Sequence, residues 1–323
     1  MPHTAQDWPI GAALLQFPAA SPGGLPTQDA PASEWSRVLG EVAAEGFDHV
    51  DLTDSWLRPG DLAPGRLAEL ARTLKEHRLG LSAVSAIRRS VIDPDPAVAR
   101  DNLDYLLRTV DAAAELGAPV VSVGLHRPLT EAQRRALWFW HEPGAADPAG
   151  DERTWALAVR RLRALGERAA GHGLRLSLEM YEDTYLGTPE SAVRLVREIG
   201  LPNVGVNPDI GNLVRLHRPV PHWEDLLLPV LPYANYWHVK NYHRDLDPAT
   251  GAYFTVPAPL EGGVIDYRRA LELALRAGFD GPICTEHYGG DGLGVSARNR
   301  DYLRRLLSVK LPAIAAEREG APA

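Results

Sequence analysis

Four short segments in the second half of the chain each end in a side chain able to bind a metal ion or move a proton. They read LRLSLEM with Glu179, VGVNPDIGN with Asp209, NYWHVKN with His238 and ICTEH with Glu286. In an extended strand, alternate side chains point to opposite faces. Leu174, Leu176, Leu178 and Met180 then share one face of the first segment, and Arg175, Ser177 and Glu179 the other. In the second, Val204 and Val206 share a face and Asp209 keeps the opposite parity. Trp237 and Val239 oppose His238 and Lys240 in the third, and Cys284 is in step with Glu286 in the fourth. If the apolar faces meet a layer of helices, three carboxylates and an imidazole converge on an inner rim. Three carboxylates without a counter-charge are costly. A divalent cation removes that cost and takes such oxygen and nitrogen ligands. Taken singly, each residue has a structural explanation: a buried Glu can pair with an Arg, and His238 can be a hydrogen-bonded core histidine. It is the coincidence of all four at matching positions that points to a metal.

The elements that must position these groups follow one repeating rule. A helix-periodic stretch ends in Gly, and a short apolar strand follows, as in AAEGFDHVDL, AELGAPVVSVGL and RAGFDGPICTE. Gly46, Gly80, Gly117, Gly173, Gly200 and Gly278 are each expected to close a helix in the left-handed conformation. Strands are expected at roughly 10–16, 47–53, 81–87, 120–125, 174–180, 203–208, 234–240 and 282–286. Helices are expected at roughly 33–45, 62–78, 97–116, 152–171, 188–199, 222–230, 264–277 and 295–309. Eight strictly alternating βα units predict an α/β fold, a single-domain (β/α)8 TIM barrel over residues 1–323. The competing open, doubly wound sheet carries a glycine fingerprint after its first strand, which LLQFPAASPGG does not match. Long loops at about 126–151 and about 241–263 fall at the strand ends where barrels build their sites, and a frayed tail is expected from about residue 312.

Composition narrows the classes. The chain has 323 residues, 45% of them hydrophobic and 24% charged, as an ordinary globular protein does. A net charge of −8 argues against nucleic acid and against anionic membranes as partners. One cysteine, Cys284, excludes a disulfide framework and a Cys-rich metal site. No Lys or Arg precedes Arg37, so the charged start of a signal peptide is missing and a cytoplasmic location is expected.

These strand-end residues resemble the metal-binding Glu, Asp, His, Glu quartet of the xylose-isomerase-like barrel superfamily, and the resemblance covers nearly the whole chain. Arg244 in HVKNYHR and the glycine-rich LEGGVIDY also match family motifs. The resemblance implies one divalent ion held by Glu179, Asp209, His238 and Glu286. Mn²⁺ is the first expectation, with Mg²⁺, Co²⁺ and Zn²⁺ open. It implies a keto-sugar isomerase or epimerase that removes a proton next to a carbonyl through an enediolate, with Glu179 and Glu286 as both ligands and acid–base pair. A second implied activity is a lyase eliminating the aglycone from a 3-keto glycoside, similar to the α subunit of C-glycoside deglycosidases. A third, of a different class, is a sugar-binding barrel without turnover. The partner is a small sugar or glycoside. A homo-oligomer is expected, or, under the lyase reading, a heteromer with a small β-sandwich subunit.

The sequence departs from the family in two places. Asn212 stands where the family's Asp-x-x-His has His, and Asn241 where His-x-Lys-Asp has Asp. Asn hydrogen-bonds a hydroxyl but carries no proton at neutral pH. His126, at the end of the fourth strand, is a candidate extra base. Lys240, Arg244, Asn212 and His287 are candidate substrate contacts. The rim loops hold Trp138, Phe139, Trp140, Tyr181, Tyr185, Tyr242, Tyr253 and Tyr288, read either as packing or as a wall for a substituent. Glu182, Asp183 and Asp291 are expected to be solvated or capping, and Arg88 and Arg89 to pair with acids or meet an anion.

Overall fold

The computed structural model describes residues 3–21 and 23–320. Eight parallel strands form the barrel: β1 (Ile10–Ala13), β2 (His49–Thr53), β3 (Gly80–Ala86), β4 (Val120–Val123), β5 (Arg175–Glu179), β6 (Val204–Asn207), β7 (Trp237–Val239) and, after an antiparallel hairpin of β8 (Asn241–Leu246) and β9 (Tyr253–Ala258), β10 (Ile283–Thr285). Pairing runs β6-β5-β4-β3-β2-β1-β10-β7. The remaining gap between β6 and β7 is bridged by Asn235, whose N–H meets the Val206 carbonyl at 3.2 Å, and by the His238 N–H donating to Asn207 Oδ1 at 2.8 Å. The barrel is thus nearly closed, and the open-sheet alternative is excluded.

Outside the strands lie α1 (Ala32–Ala44), α2 (Pro64–Glu76), α3 (Pro96–Glu115), α4 (Glu131–Arg135), α5 (Glu152–Gly171), α6 (Pro189–Ile199), α7 (Gly211–Val214), α8 (Trp223–Leu227), α9 (Tyr267–Arg276) and α10 (Gly292–Gly320). Their starts are written locally. Asp95 caps α3 through the Ala97 N–H, Asp151 caps α5, Thr188 caps α6 and Asp266 caps α9. Each long helix turns one apolar stripe to the sheet; α5 buries Trp155, Ala158, Leu162 and Leu165. Inside the barrel sits a second, small cluster of Ala13, Ala83, Val120, Tyr236 and Cys284.

Three expectations are corrected. Gly80 opens β3; the left-handed position that ends α2 belongs to Arg78, at φ 57°. A Cβ at Gly80 would lie 3.0 Å from the His49 ring, which would have to shift slightly to admit it. The helix expected at 222–230 shrinks to α8, because Pro229 and Pro232 cannot continue it. The segment from residue 312 is helical to Gly320 and carries Pro312 inside α10, with Ile314 buried in the main core. Residues 321–323 of that tail lie outside the described residues. Among the described residues no helix is long and apolar enough to cross a membrane.

Just past β2, Asp54 accepts from the Ile87 N–H and from Arg89 Nε, both at 3.1 Å, and so ties down the turn after β3. Burial raises its pKa from 3.8 to about 6, against the opposing pull of Arg89. A raised pKa means that the folded state holds the proton more tightly. Its stabilisation is therefore complete below pH 4 and lost as pH rises through about 6, by about 3 kcal/mol at most. Urea melts between pH 4 and 7 are expected to show this slope in the difference between wild type and Asp54→Asn. A flat difference would refute it.

Candidate metal and acid–base site

Glu179 is the last residue of β5, and Asp209 follows β6 in a tight turn in which its N–H meets the Asn207 carbonyl at 2.8 Å. His238 is central in β7, opposite Cys284 of β10. Glu286 lies one residue beyond β10, its N–H still paired to the Val239 carbonyl at 3.1 Å. All four side chains are buried. His238 Nδ1 is 3.7 Å from Glu179 Oε2, 3.7 Å from Asp209 Oδ2 and 3.6 Å from Glu286 Oε2. The parity read from the sequence therefore brings all four together.

The donor set fits a divalent ion. Glu179 Oε2, Asp209 Oδ1 and His238 Nδ1 are buried and have no hydrogen-bond partner in the protein. Ligand atoms of Glu179, Asp209 and His238 lie within 4.8 Å of one another. Unpaired buried polar atoms are costly, and several facing each other mark a missing partner. Lys240 Nζ holds the other side, at 2.6 Å from Asp209 Oδ2 and 2.7 Å from Glu286 Oε2. Three carboxylates and one ammonium leave a net charge of −2, which a divalent cation cancels.

The electrostatics agree. Burial pushes Glu179 up, but His126, His238 and Lys240 outweigh it and hold its carboxyl well below the usual range. Burial pulls Lys240 down, yet Asp209 and Glu286 raise it well above its ordinary value and keep it an ammonium. His238 is likewise raised, by Asp209, Asp51 and Glu179 against burial, so the imidazole takes a proton where no metal does.

Behind His238 stands a residue that the sequence reading missed. Asp51 Oδ2 accepts from Tyr236 OH at 2.5 Å and Ser85 Oγ at 2.6 Å, and lies 2.9 Å from His238 Nε2. A carboxylate facing an imidazole nitrogen accepts its hydrogen, which places the proton on Nε2 and turns the Nδ1 lone pair toward Glu179, Asp209 and Glu286. The signal was an acid inside the apolar strand HVDLT, the same type of evidence that identified the other four.

The other candidates divide. His126 Nε2 is 3.4 Å from Glu179 Oε1, its ring is 3.8 Å from that of Tyr181, and both its nitrogens lack a hydrogen-bond partner. Gly124 makes the space, since a Cβ there would lie 2.2 Å from the imidazole. Asn212 Nδ2 lies 3.1 Å from both Glu179 Oε1 and Asp209 Oδ2, so it braces the carboxylates. Arg244 is turned away: it donates to the carbonyls of Val214, Leu216 and Arg218 and stacks on Tyr253 at 4.1 Å, fastening the hairpin to the barrel. His287 lines a neighbouring cleft with Leu15, Gln16 and Glu41.

Asn241 explains its departure from the family. Its Nδ2 donates to the Leu260 and Ile265 carbonyls at 2.9 and 2.8 Å, and its Oδ1 accepts from the Ile265 N–H at 3.0 Å. An aspartate here would aim a buried carboxylate at two carbonyls. Asn241→Asp is expected to cost about 2–4 kcal/mol in a thermal or urea melt. An unchanged midpoint would show that the loop relaxes around it.

A roof of aromatic rings covers the cluster. Trp140 packs on Tyr242 and Tyr288 at 5.2 and 5.5 Å, and Phe139 on Tyr288 at 5.9 Å. Glu182, expected to be solvated, is buried and paired with Arg215 at 3.3 Å; Asp183 is the one that reaches outward, to Arg218 at 2.6 Å. Asp291 caps α10 through the Gly294 N–H, as expected. Arg89 pairs with Asp54, whereas Arg88 donates to the Arg127 carbonyl and to Tyr181 OH.

A nearly closed parallel barrel with this cluster at the carboxyl ends of its strands defines a class, and residues 39–306 match the model of the xylose isomerase-like TIM barrel family. The chain belongs to that family. A xylose isomerase-like TIM barrel protein from Mycobacterium smegmatis, solved in complex with magnesium, is 44% identical, with a TM-score of 0.91 over 96% of this chain and 99% of that one. A ketose 3-epimerase from Arthrobacter globiformis is 27% identical over 223 residues, 67% of this chain and 66% of that enzyme. The structure of an L-ribulose 3-epimerase, 18% identical with a TM-score of 0.68, covers 97% of this chain and 98% of its own and shares the fold.

Proposed function

We propose that the protein is a divalent-metal-dependent epimerase or isomerase of keto sugars. The observation that carries this reading is the order of the ligand arc. Following β5, β6, β7 and β10 around the barrel gives Glu179, Asp209, His238 and Glu286, so the two glutamates stand at opposite ends of the arc. A substrate lying across the arc meets a carboxylate on each face. The likeness to a ketose 3-epimerase supports the same chemistry. The magnesium in the mycobacterial relative supports a divalent ion held by these four residues.

When bound, the ion would act as a Lewis acid on the sugar's carbonyl and adjacent hydroxyl oxygens. The chain's own residues do the rest. One glutamate takes the proton from the carbon beside the carbonyl and the other delivers a proton on the opposite face. The Glu179 carboxylate is held in place for this: Asn212 Nδ2 donates to Oε1, His126 Nε2 stands 3.4 Å from the same oxygen, and Oε2 is turned toward His238. Lys240 fixes the glutamate opposite and stays charged as it does so. His126, with both nitrogens unpartnered, is placed to relay a hydroxyl proton. The aromatic roof excludes water and so strengthens each of these interactions.

The test is solvent exchange. Protein loaded in turn with Mn²⁺, Mg²⁺, Co²⁺ or Zn²⁺ is incubated in D₂O with a panel of ketoses that includes keto-sugar acids. Deuterium at the carbon next to the carbonyl, with the epimer or isomer appearing and both lost on chelation, is the expected result. Absence of exchange from every ketose with metal bound would refute the reading.

A further inference from the structure

We propose that the substrate is an anionic sugar acid whose carboxylate seats against Arg215, with Arg88 beside it; this rests on the keto-sugar reading above. Arg215 is fully buried, yet it is poorly paired. Its contacts to Glu182 are 3.3 and 3.4 Å, its contact to Tyr242 OH is 3.4 Å, and its Nε has no partner. A buried guanidinium with an idle donor is an unfinished site. Besides Glu182, the cation is flanked by rings: Phe139 at 4.8 Å, Trp140 at 5.2 Å, Tyr181 at 5.5 Å and Tyr288 at 5.9 Å.

Arg88 is an independent second observation. It lies over the same Phe139 and Tyr181 rings, at 5.2 and 5.4 Å, and has no acid partner among the described residues. Its backbone sits at φ 55°, a left-handed conformation that a non-glycine residue adopts at a cost. Asp54 and Arg89 hold the turn that imposes it. Two guanidiniums against one carboxylate, Glu182, leave a single positive charge under the roof. One carboxylate balances that charge, whereas a phosphate dianion would overshoot it. Planar carboxylate also matches the guanidinium fork.

The arginines and the acid–imidazole cluster share ring neighbours. Lys240 Nζ and Arg215 pack on the same Tyr288 ring, at 5.6 and 5.9 Å. Tyr181 touches Arg215 on one side and His126 on the other. A sugar with its carbonyl end among Glu179, Asp209, His238 and Glu286 would present its far end to the two arginines.

The probes are matched pairs differing only at the terminal carbon: D-fructuronate against D-fructose, and D-tagaturonate against D-tagatose. Binding to the full chain is measured by calorimetry with and without metal, beside deuterium exchange. The acid of each pair is expected to bind about 10–100-fold more tightly. That ratio is expected to collapse in Arg215→Gln/Glu182→Gln, which removes both charges together, and in Arg88→Met, which carries the test should the double variant fail to fold. Equal binding of acid and ketose would overturn the proposal. So would an acid preference that survives both variants, since the carboxylate would then be on the metal. Acetate that promotes D-fructose binding would also overturn it, assigning the carboxylate to a separate molecule. Arginine-dependent binding of the acid without any exchange would uphold this subsite while refuting the proton-transfer reaction.

Discussion

Glu179→Gln is expected to lower deuterium exchange into a bound keto sugar by about 10²–10⁴-fold, the usual value of a positioned base. Glutamine preserves the volume, and its carbonyl oxygen can still accept from Asn212. What it loses is the charge that His126, His238 and Lys240 stabilise in the wild type. The metal suffers as well, because the free Oε2 is one of the unpartnered atoms that face His238. Elemental mass spectrometry on the purified variant is expected to show reduced metal content under conditions that saturate the wild type. The fold is expected to survive, since no element outside the rim depends on this side chain. Full activity with full occupancy would remove Glu179 from the site.

Asp51→Asn has the next largest expected effect, although Asp51 faces the side of His238 away from the other ligands. Metal affinity is expected to fall by about 10–100-fold, the usual consequence of losing the acid behind a ligating histidine. The carboxylate accepts from Tyr236 and Ser85 and fixes the hydrogen of His238 on Nε2. Tyr236, Ser85 and His238 all meet Oδ2, and a neutral amide oxygen in that place accepts from the imidazole more weakly than the carboxylate does. The imidazole is then free to take the other tautomer, which places a hydrogen where the metal belongs. A purely structural role would lower the melting temperature of the metal-stripped protein and leave its metal affinity intact. The positioning role lowers the affinity measured by competitive chelation, and Asp51→Glu is expected to recover part of it.

The barrel was legible because its signals are local. Gly46, Gly117, Gly173, Gly200 and Gly278 all adopt the left-handed conformation their sequence context requires. Strand parity is equally local. It places Glu179 and His238 on the inner face whatever the neighbouring strands do, and so the convergence of the four side chains could be read before any contact was known. Where a short-range rule had two solutions, the rest of the molecule chose. α2 closes through Arg78 rather than Gly80, and the helix past residue 312 persists because Ile314 finds the core.

Residue types and spacing in the sequence therefore determined the eight βα units, the rim on which chemistry happens and the donor set presented there. Tertiary structure alone decided how those donors are oriented and what lies opposite them. Asp51 and His238 are 187 residues apart and Glu182 and Arg215 are 33 apart. Arg244, matched to a family motif, turns to main-chain carbonyls, and Glu182, read as solvated, is buried beneath the aromatic roof. The reason is physical: periodicity and capping depend on neighbours within a turn or a strand, whereas a tautomer, a buried charge pair or an idle guanidinium depends on which distant strand end closes the space.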